Sequence, residues 1–462
     1  MVNNLDAHTV QKLATRAFRA AERILYGKAK KVRFKGKDQF DSLESKSNDA
    51  GIRWRNSKVE WNGLSLASLI DSEDKVITHG LKHKVKYCRV VRRIIRNKNR
   101  FYVQLIMEGK SLIKERNHMG KGKVFFDIGP STIAIVSHNN EESNQFQARL
   151  TQFCSELDTK QKTIAQFQRK IERQRRQNNP NNYSENGKIT KGGHKWKRSK
   201  RQLKNASELR EVYRKVSCYR KSLHGKLSNE IIRMGNDFGT EKISMKWFQK
   251  LFGKSVGIRA PGMLVSGVKR KAERAGGLFQ EMNTNATKLS QICICERQKK
   301  KTLSNRVHDC ECGVHAQRDL FSAYLGLFYE KIEKIEKTEK VGVISEKGKI
   351  SKVSKTSKKN EKVYEYIFHA DQAQSAWSSA DKLLQAAWEK SVQFVSGKAT
   401  PSSFGKPSSL KTLVFLSQNG SSAEEGQNII AKFKIQDVVL NCPRIRESLK
   451  ENKVFPLEPA GF

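Results

Sequence analysis

The chain has 462 residues, more than one hydrophobic core needs, so we expect two or three domains. It carries 90 lysine and arginine residues against 46 aspartate and glutamate residues, a formal net charge of +44. Such an excess repels itself unless a polyanion neutralises it, so nucleic acid is the expected partner. The sequence has neither an apolar run long enough to span a membrane nor a signal-peptide core, which disfavours a membrane partner and predicts a cytoplasmic, nucleoid-associated protein.

Two basic elements are predicted near the amino terminus. Residues 7–25 have the apolar spacing of a helix. Residues 84–108 alternate as a β-hairpin does, with a turn at 97–99. The hairpin is rich in positive charge, which fits either phosphate contact or a soluble strand face. Its candidate nucleic-acid-binding residues are Arg89, Arg92, Arg93 and Arg96.

A second β unit is predicted over 123–138, with a Gly129-Pro130 turn, and two long helices follow it. The apolar stripe of the first helix runs from Leu150 to Ile171, and both stripes are interpreted as packing seams. Between the helices, residues 178–200 predict an exposed loop that either contacts nucleic acid or is simply solvated. The candidate contacts in this loop are Lys195, Lys197 and Arg198.

The composition changes after Tyr329. Residues 330–362 repeat a Glu-Lys-Ile unit and predict a linker or a frayed helix. A short amphipathic helix with Trp377, Leu384 and Trp388 is expected next, and residues 395–430, rich in Ser and Gly, are expected to be disordered.

Three carboxylates are candidates for metal chemistry. Asp127 lies inside an apolar strand, where it is either a hydrogen-bonded structural residue or a ligand for a cation. Asp319 begins an amphipathic helix, where its alternative role is to stabilise the helix dipole. Glu241 taken alone resembles a surface glutamate, and Glu230 and Glu273 are alternatives to it. Three carboxylates from separate segments can hold two Mg ions roughly 3.5–4 Å apart for phosphodiester hydrolysis, but spacing alone does not show that they converge.

Four of the eight cysteines lie within residues 293–312, in two C-x-C pairs. Four thiolates suit a tetrahedral structural Zn ion, although the usual spacing is C-x2-C. His308 is an alternative ligand, and incidental free cysteines are the other interpretation. The predicted Zn ligands are Cys293, Cys295, Cys310 and Cys312.

In this order the motifs resemble the TnpB family, the RNA-guided nucleases of insertion sequences. The resemblance covers about residues 5–329 and is closest to members mobilised with serine recombinases. The motifs that carry it are Asp127-Ile128-Gly129, the two long helices, the Glu241 segment, residues 253–262, Lys288–Gln291, the cysteine pairs, Arg318-Asp319 and the Gln104-to-Gly109 stretch.

The resemblance implies an α+β multidomain chain with an RNase-H-like (RuvC) α/β nuclease core. Residues 1–118 would form a partial helical recognition and β-barrel wedge lobe. Residues 119–329 would form the nuclease domain, with a helical insertion at 140–235 and a zinc ribbon at 290–314. Residues 330–462 would be a low-complexity linker and a largely disordered tail.

The resemblance also implies a function. Asp127, Glu241 and Asp319 would form the catalytic triad with two Mg ions, and Arg318 would contact nucleic acid. A guide RNA and a double-stranded DNA target are the implied partners, with base pairing supplying the sequence specificity. Family members open with a strand and several helices before the region that residues 1–25 resemble, so a truncated amino terminus and an incomplete wedge are expected.

Two other functions fit the same sequence. An inactive relative would bind RNA and DNA without cutting, as a regulator. A strand-transferring transposase would be expected to order its acidic residues Asp, Asp, Glu, whereas the order here is Asp, Glu, Asp.

Overall fold

The computed structural model describes residues 5–36, 39–139, 145–302, 305–334, 363–395 and 428–435. The chain divides into two compact units, Met1–Ile113 with Ser402–Phe462 and Lys114–Pro401. The first boundary therefore lies about five residues before the position expected from the sequence. Among the described residues, no helix combines the length and the apolar character needed to cross a membrane.

The described helices are α1 Ala7–Leu25, α2 Lys75–Leu81, α3 Asp158–Asn178, α4 Lys200–Ile232, α5 Met245–Arg259, α6 Pro261–Arg274, α7 Thr284–Thr287, α8 Arg318–Gly326 and α9 Ala370–Val395. The described strands are β1 Ser42–Glu44, β2 Arg53–Arg55, β3 Lys58–Trp61, β4 Leu64–Leu69, β5 Val85–Ile95, β6 Lys98–Glu108, β7 Lys123–Ile128, β8 Thr132–Asn139, β9 Gln145–Gln152, β10 Asp237–Glu241, β11 Leu278–Met282, β12 Val307–Asp309, β13 His315–Gln317, β14 Tyr329–Lys334, β15 Val363–Phe368 and β16 Asn428–Ile435.

The first unit contains a seven-stranded sheet in the order β1-β5-β6-β16-β4-β3-β2. Helix α1 has the bounds that the sequence predicts, and β5 and β6 form the predicted hairpin. Its turn is at Arg96-Asn97, not at 97–99, because these two residues have positive φ values of 49° and 62°. Positive φ at both central residues matches the right-handed twist of the two strands.

The second unit is built on a five-stranded sheet in the order β11-β10-β7-β8-β9. Strands β7, β8 and β9 form an antiparallel meander, and β10 and β11 extend it in parallel. The sheet is mixed, and the molecule as a whole is a mixed α/β protein with several sheets.

The central strand β7 is buried on both faces because its side chains alternate between two cores. Val124, Phe126 and Ile128 join one core with residues of α3, α4 and α6. Phe125 joins the other core with residues of α8 and α9. A parallel or central strand covered on both faces is expected to be almost continuously apolar, as this one is.

The helical insertion begins later than residue 140. Residues 145–152 are the edge strand β9, so Leu150 belongs to a strand, and the buried Phe153 precedes α3. The two residues fit a helical stripe by spacing alone, which explains the error. Helices α3 and α4 are the two long helices that the sequence predicts, and they pack against each other.

The expected disordered tail needs correction over three described segments. Strand β16 pairs with β6 and β4 in the sheet of the first unit. Strand β14 pairs with β15 from Tyr329↔Phe368 to Lys334↔Val363, and α9 buries Ala373, Ala380, Leu384 and Ala387 against the sheet. The predicted short amphipathic helix is thus a 26-residue element of the core. The remainder of the 330–362 tract and residues 396–427 lie outside the described residues.

Candidate active site and metal centre

Two of the three candidate carboxylates lie at the carboxyl ends of neighbouring parallel strands. Asp127 is next to last in β7, and Glu241 is last in β10. The register pairs Thr240 with Phe126. The residues that follow them, Glu241 and Asp127, therefore lie side by side at the carboxyl ends of their strands. By alternation, both carboxylates share the face that carries Phe125.

Helix α8 covers that same face and places Asp319 in its first turn. The Gln317 side chain begins the helix by accepting a hydrogen bond from the Leu320 amide at 2.7 Å. A Cβ at Gly326 would lie 2.3 Å from the Phe125 ring, so only glycine lets α8 approach the strand this closely. Close packing of α8 on β7 therefore brings Asp319 toward Asp127.

The three carboxylates interact electrostatically. Burial, followed by the charges of Asp319 and Glu241, raises the pKa of Asp127 well above its ordinary value, and Arg318 and Arg306 partly oppose this. Burial also raises the pKa of Glu241 to about 7, against hydrogen bonds from Thr287 and the Leu289 amide. Each of the three residues is partly buried. Clustered anions that are this costly to ionise are the donor set that a hard divalent cation neutralises.

Protein groups also contact two of these carboxylates. Thr287 Oγ1 donates to Glu241 Oε1 at 3.3 Å. Arg306 Nη1 lies 3.4 Å from Asp319 Oδ2, and Arg318 Nη2 lies 3.1 Å from Asp319 Oδ1. In the described part of the chain, the four cysteines are gathered closely enough to hold one metal ion, whereas these carboxylates are not gathered to that degree. Glu241 and Asp319 would turn from their present partners to bind one.

The alternatives to Glu241 lie elsewhere. Glu230, on α4, pairs with Arg149 at 2.7 Å, and Glu273, on α6, lies 4.0 Å from Lys269. Sequence reasoning missed Thr287 and Arg306 as neighbours of the site. Arg306 lies in a stretch between the two cysteine pairs that is rich in lysine and arginine, which indicates positive charge but no particular contact. Nothing in the sequence indicates Thr287, because its contact with Glu241 is made only in the fold.

The four cysteines come together as predicted. Their Sγ atoms lie within 4.8 Å of one another, with Cys293 and Cys312 3.5 Å apart and Cys295 and Cys310 3.6 Å apart. Tetrahedral Zn–S bonds of 2.3 Å place sulfur atoms roughly 3.8 Å apart, so the group fits a structural zinc ion. These separations are too long for disulfide bonds.

Tight turns make the short C-x-C spacing compatible with this geometry. The Cys293 amide donates to Arg297 O, and the Cys310 amide donates to Val314 O. A hydrogen bond from the backbone of Cys312 is the main cause that lowers the pKa of Cys310 to about 7, which favours a thiolate ligand. His308 is not part of the group, and its buried ring packs at a tilt against Phe321 with centroids 4.3 Å apart.

The hairpin arginines divide into two kinds. Arg89 forms an ion pair with the buried Glu44, and Arg92 lies 3.3 Å from Asp41. Arg93 and Arg96 are exposed. The hairpin is therefore partly neutralised by acidic residues in and beside β1, which the sequence of the hairpin alone did not indicate.

Arg318, a predicted nucleic-acid contact, makes several contacts within the fold. Its side chain is 11% exposed, and its Nη1 donates to Asn305 O at 2.8 Å and to Thr302 O at 3.3 Å. These bonds hold the segment after the first cysteine pair against the start of α8. By contrast, Lys195, Lys197 and Arg198 are exposed on the loop between α3 and α4, as predicted.

Comparisons with known proteins find similarity to solved structures but not to known sequences. No protein-family model matches the sequence, and no curated protein sequence shows significant similarity to it. A cryo-EM structure of a Cas12f1–sgRNA–target DNA complex matches with a TM-score of 0.38 and 14% identity, covering 65% of this chain and 67% of that one. At that score and identity, the likeness assigns neither a fold family nor an activity to this chain.

Proposed function

We propose that the chain is an RNA-guided, metal-dependent DNA endonuclease of the TnpB type, with a RuvC-like core. The observation that carries this proposal is the convergence of Asp127, Glu241 and Asp319. They come from two parallel strands and one helix, and 114 residues separate Asp127 from Glu241 in sequence. Burial, and then the charges of Asp319 and Glu241, raise the pKa of Asp127.

The sheet supports the assignment of the core. An antiparallel meander extended by two parallel strands is the arrangement that we interpret as RNase-H-like, with helices covering both faces. Ligand sites in open α/β sheets lie outside the carboxyl ends of strands, and that is where Asp127 and Glu241 are found.

The chemistry follows from the donor set. Two Mg ions, when bound by the three carboxylates, would activate a water and neutralise the leaving oxygen as the P–O bond breaks. Asp127, Glu241 and Asp319 would hold the ions through their carboxylate oxygens. Arg306, whose side chain is 62% exposed beside Asp319, is placed to contact the phosphate that enters the site.

The guide RNA and the duplex DNA target are proposed as partners on the net charge of +44 and the exposed basic residues of the hairpin and the α3–α4 loop. The cysteine group would hold zinc in a structural role, fixing the segment that ends at Arg318. A cytoplasmic, nucleoid-associated location is part of the same proposal.

Cleavage of a guided target in Mg tests the catalytic assignment. Asp127→Asn, Glu241→Gln and Asp319→Asn keep the shape of each side chain but remove the charge that binds a hard cation. Each should reduce cleavage by orders of magnitude, since metal stabilisation of the transition state is worth several kcal/mol. Binding of RNA and DNA should be retained.

Asp237→Asn is the matched control, because Asp237 starts the strand that Glu241 ends and is also partly buried. It should cleave like wild type. Cleavage retained by Asp127→Asn beside an active wild type would refute the mechanism. Binding without cleavage by the wild type, under every guide tested, would favour an inactive nucleic-acid-binding relative.

A further inference from the structure

A cavity lies between α3 and α4, distinct from the acidic site and the cysteine group. Its volume is about 350 Å³, within the range of small-molecule sites. Its lining includes Ile171, Arg175, Trp196, Lys197, Arg198 and Gln202. Flat aromatic, apolar, amide and cationic groups thus meet in one place.

An arginine–tryptophan stack forms part of the wall. The Arg175 guanidinium carbon lies 3.8 Å from the centre of the Trp196 ring. Tyr183 and His194 pack edge-on against the same indole, with centroids 5.9 Å away in each case. Contacts on several sides hold the indole in one orientation before any ligand arrives, so little rotamer entropy remains to be lost on binding.

The loop that carries Trp196 is also fixed to the helix. The buried Asn179 donates to both Arg175 O and Lys197 O at 2.9 Å, and it accepts from the Lys197 amide at 2.7 Å. The Asn179 side chain makes all three of these hydrogen bonds. They hold the loop in place, so that it forms one side of the cavity. Although the sequence predicted an exposed loop, this segment is a built part of the fold.

The polar groups of the cavity suit a nucleotide. Arg175, Lys197 and Arg198 supply three positive charges. The lining contains no acidic residue, although Glu172, outside it on α3, lies 3.6 Å from Arg175. Gln202 is 6% exposed, and its Oε1 accepts a hydrogen bond from Asn178 Nδ2 at 3.4 Å. Its carboxamide N–H groups are donors of the kind that read a base edge. Bases stack on aromatic rings and on guanidinium planes, while cations bind the phosphate beside them.

We propose that this cavity binds one unpaired nucleotide of a nucleic-acid strand, with its base against the Arg175–Trp196 stack and its phosphate toward Lys197 and Arg198. The inference deepens the proposed function, since an RNA-guided nuclease handles both an RNA and a displaced DNA strand. The site itself requires only an unpaired base, whichever strand supplies it.

Fluorescence of 2-aminopurine in single strands of about 10 nucleotides tests the site directly. The full-length chain, freed of nucleic acid at high salt, is used with Asp127→Asn and without added Mg, so the readout does not depend on cleavage. Wild-type cavity residues should quench the probe on binding. Trp196→Ala should abolish quenching and weaken binding by roughly 5- to 100-fold, whereas Trp196→Phe should retain most of both.

Two controls separate stacking from misfolding and from general charge. Trp247→Ala removes an exposed indole on α5 and should change nothing. Lys197→Ala with Arg198→Ala should weaken binding more than Lys188→Ala with Lys191→Ala, which removes equal charge from the same loop outside the cavity lining. The two double variants replace surface residues and do not disturb the core. If Trp196→Ala unfolds, the comparison between them still tests the cavity.

The outcomes are decisive in each arm. Quenching of the RNA strand alone assigns the cavity to RNA, and quenching of the DNA strand alone assigns it to DNA. Equal quenching by wild type and Trp196→Ala, or tighter binding of a fully paired probe than of the single strand, overturns the proposal. Loss of cleavage in the parent chain with quenching intact would reject the nuclease and keep the nucleotide site.

Discussion

At the scale of single residues, the acidic site shows how a carboxylate in an apolar strand differs from an ordinary polar residue. Asp127 is surrounded by buried neighbours in β7 and by the charges of Glu241 and Asp319. A structural aspartate would be expected to have hydrogen-bond donors that lower its pKa. At Asp127, burial and the neighbouring negative charges dominate and raise the pKa. Keeping all three carboxylates ionised therefore costs the folded protein free energy.

This arrangement predicts a gain in stability on neutralising Asp127. Without added Mg, Asp127→Asn should raise the thermal unfolding midpoint by a few degrees, because one of three repelling carboxylates is removed. Adding Mg should then stabilise the wild type more than the variant, since only the wild type binds the ion fully. Differential scanning fluorimetry with and without Mg measures both effects. Equal stabilisation of the two proteins by Mg would contradict a cation site at Asp127.

The sequence predicted part of this site and missed the rest for physical reasons. Asp127 and Asp319 were identifiable because each sits in a strongly patterned element. Glu241 depended on a parallel pairing between β7 and β10, which no local pattern encodes. The contacts of Arg318 with the backbone carbonyls of Thr302 and Asn305 could not be predicted, because residue types do not reveal which carbonyl groups lie nearby in the fold.

At the scale of elements, α9 shows the same limit. Its apolar residues predicted an amphipathic helix, but the surrounding charged and Ser-rich composition suggested that nothing packs there. The helix instead closes the core over α8, where Tyr324 donates a hydrogen bond to Ala373 O at 2.6 Å. Elements β7, β8, α1 and α8 were predicted closely because their periodicity and turn residues agree.

Two adjacent leucines of α9 test its place in the core. Leu384 is 2% exposed and Leu383 is 41% exposed. Leu384→Ala should lower the free energy of unfolding by roughly 2–5 kcal/mol. Leu383→Ala should change it by about 0.5 kcal/mol or less. Chemical denaturation of both variants measures the difference, and equal effects would mean that α9 does not pack as described.

The cysteine group makes a separate prediction about metal. The full-length protein should contain about one Zn per chain, held by four thiolates. Cys310→Ser should lower the Zn content and the thermal midpoint, because it removes the thiol whose pKa is about 7. Cys218→Ser, on α4, is the control and should retain the metal. Elemental analysis decides this, and full Zn content in Cys310→Ser would place the ligands elsewhere.

At the scale of the whole molecule, only part of the net charge of +44 is available to bind phosphate. Some arginines that a sequence reader would assign to phosphate are already paired within the fold, as Arg89 is with Glu44. Others, including Arg93 on the same strand, are exposed. The number of phosphates neutralised on binding should therefore be smaller than the net charge implies, and measurable residue by residue.

The salt dependence of affinity measures that number. For duplex DNA, the logarithm of the binding constant should fall linearly with the logarithm of salt concentration, with a slope of about −0.9 for each phosphate neutralised. Arg93→Ala should make the slope shallower by about one. Arg89→Ala should change it less, because Arg89 already has an anionic partner and its loss leaves Glu44 uncompensated. Filter binding between about 50 and 200 mM salt covers the useful range. A flat dependence in the wild type would show that its excess charge is not where nucleic acid binds, and equal slopes for Arg93→Ala and wild type would remove the hairpin from the interface.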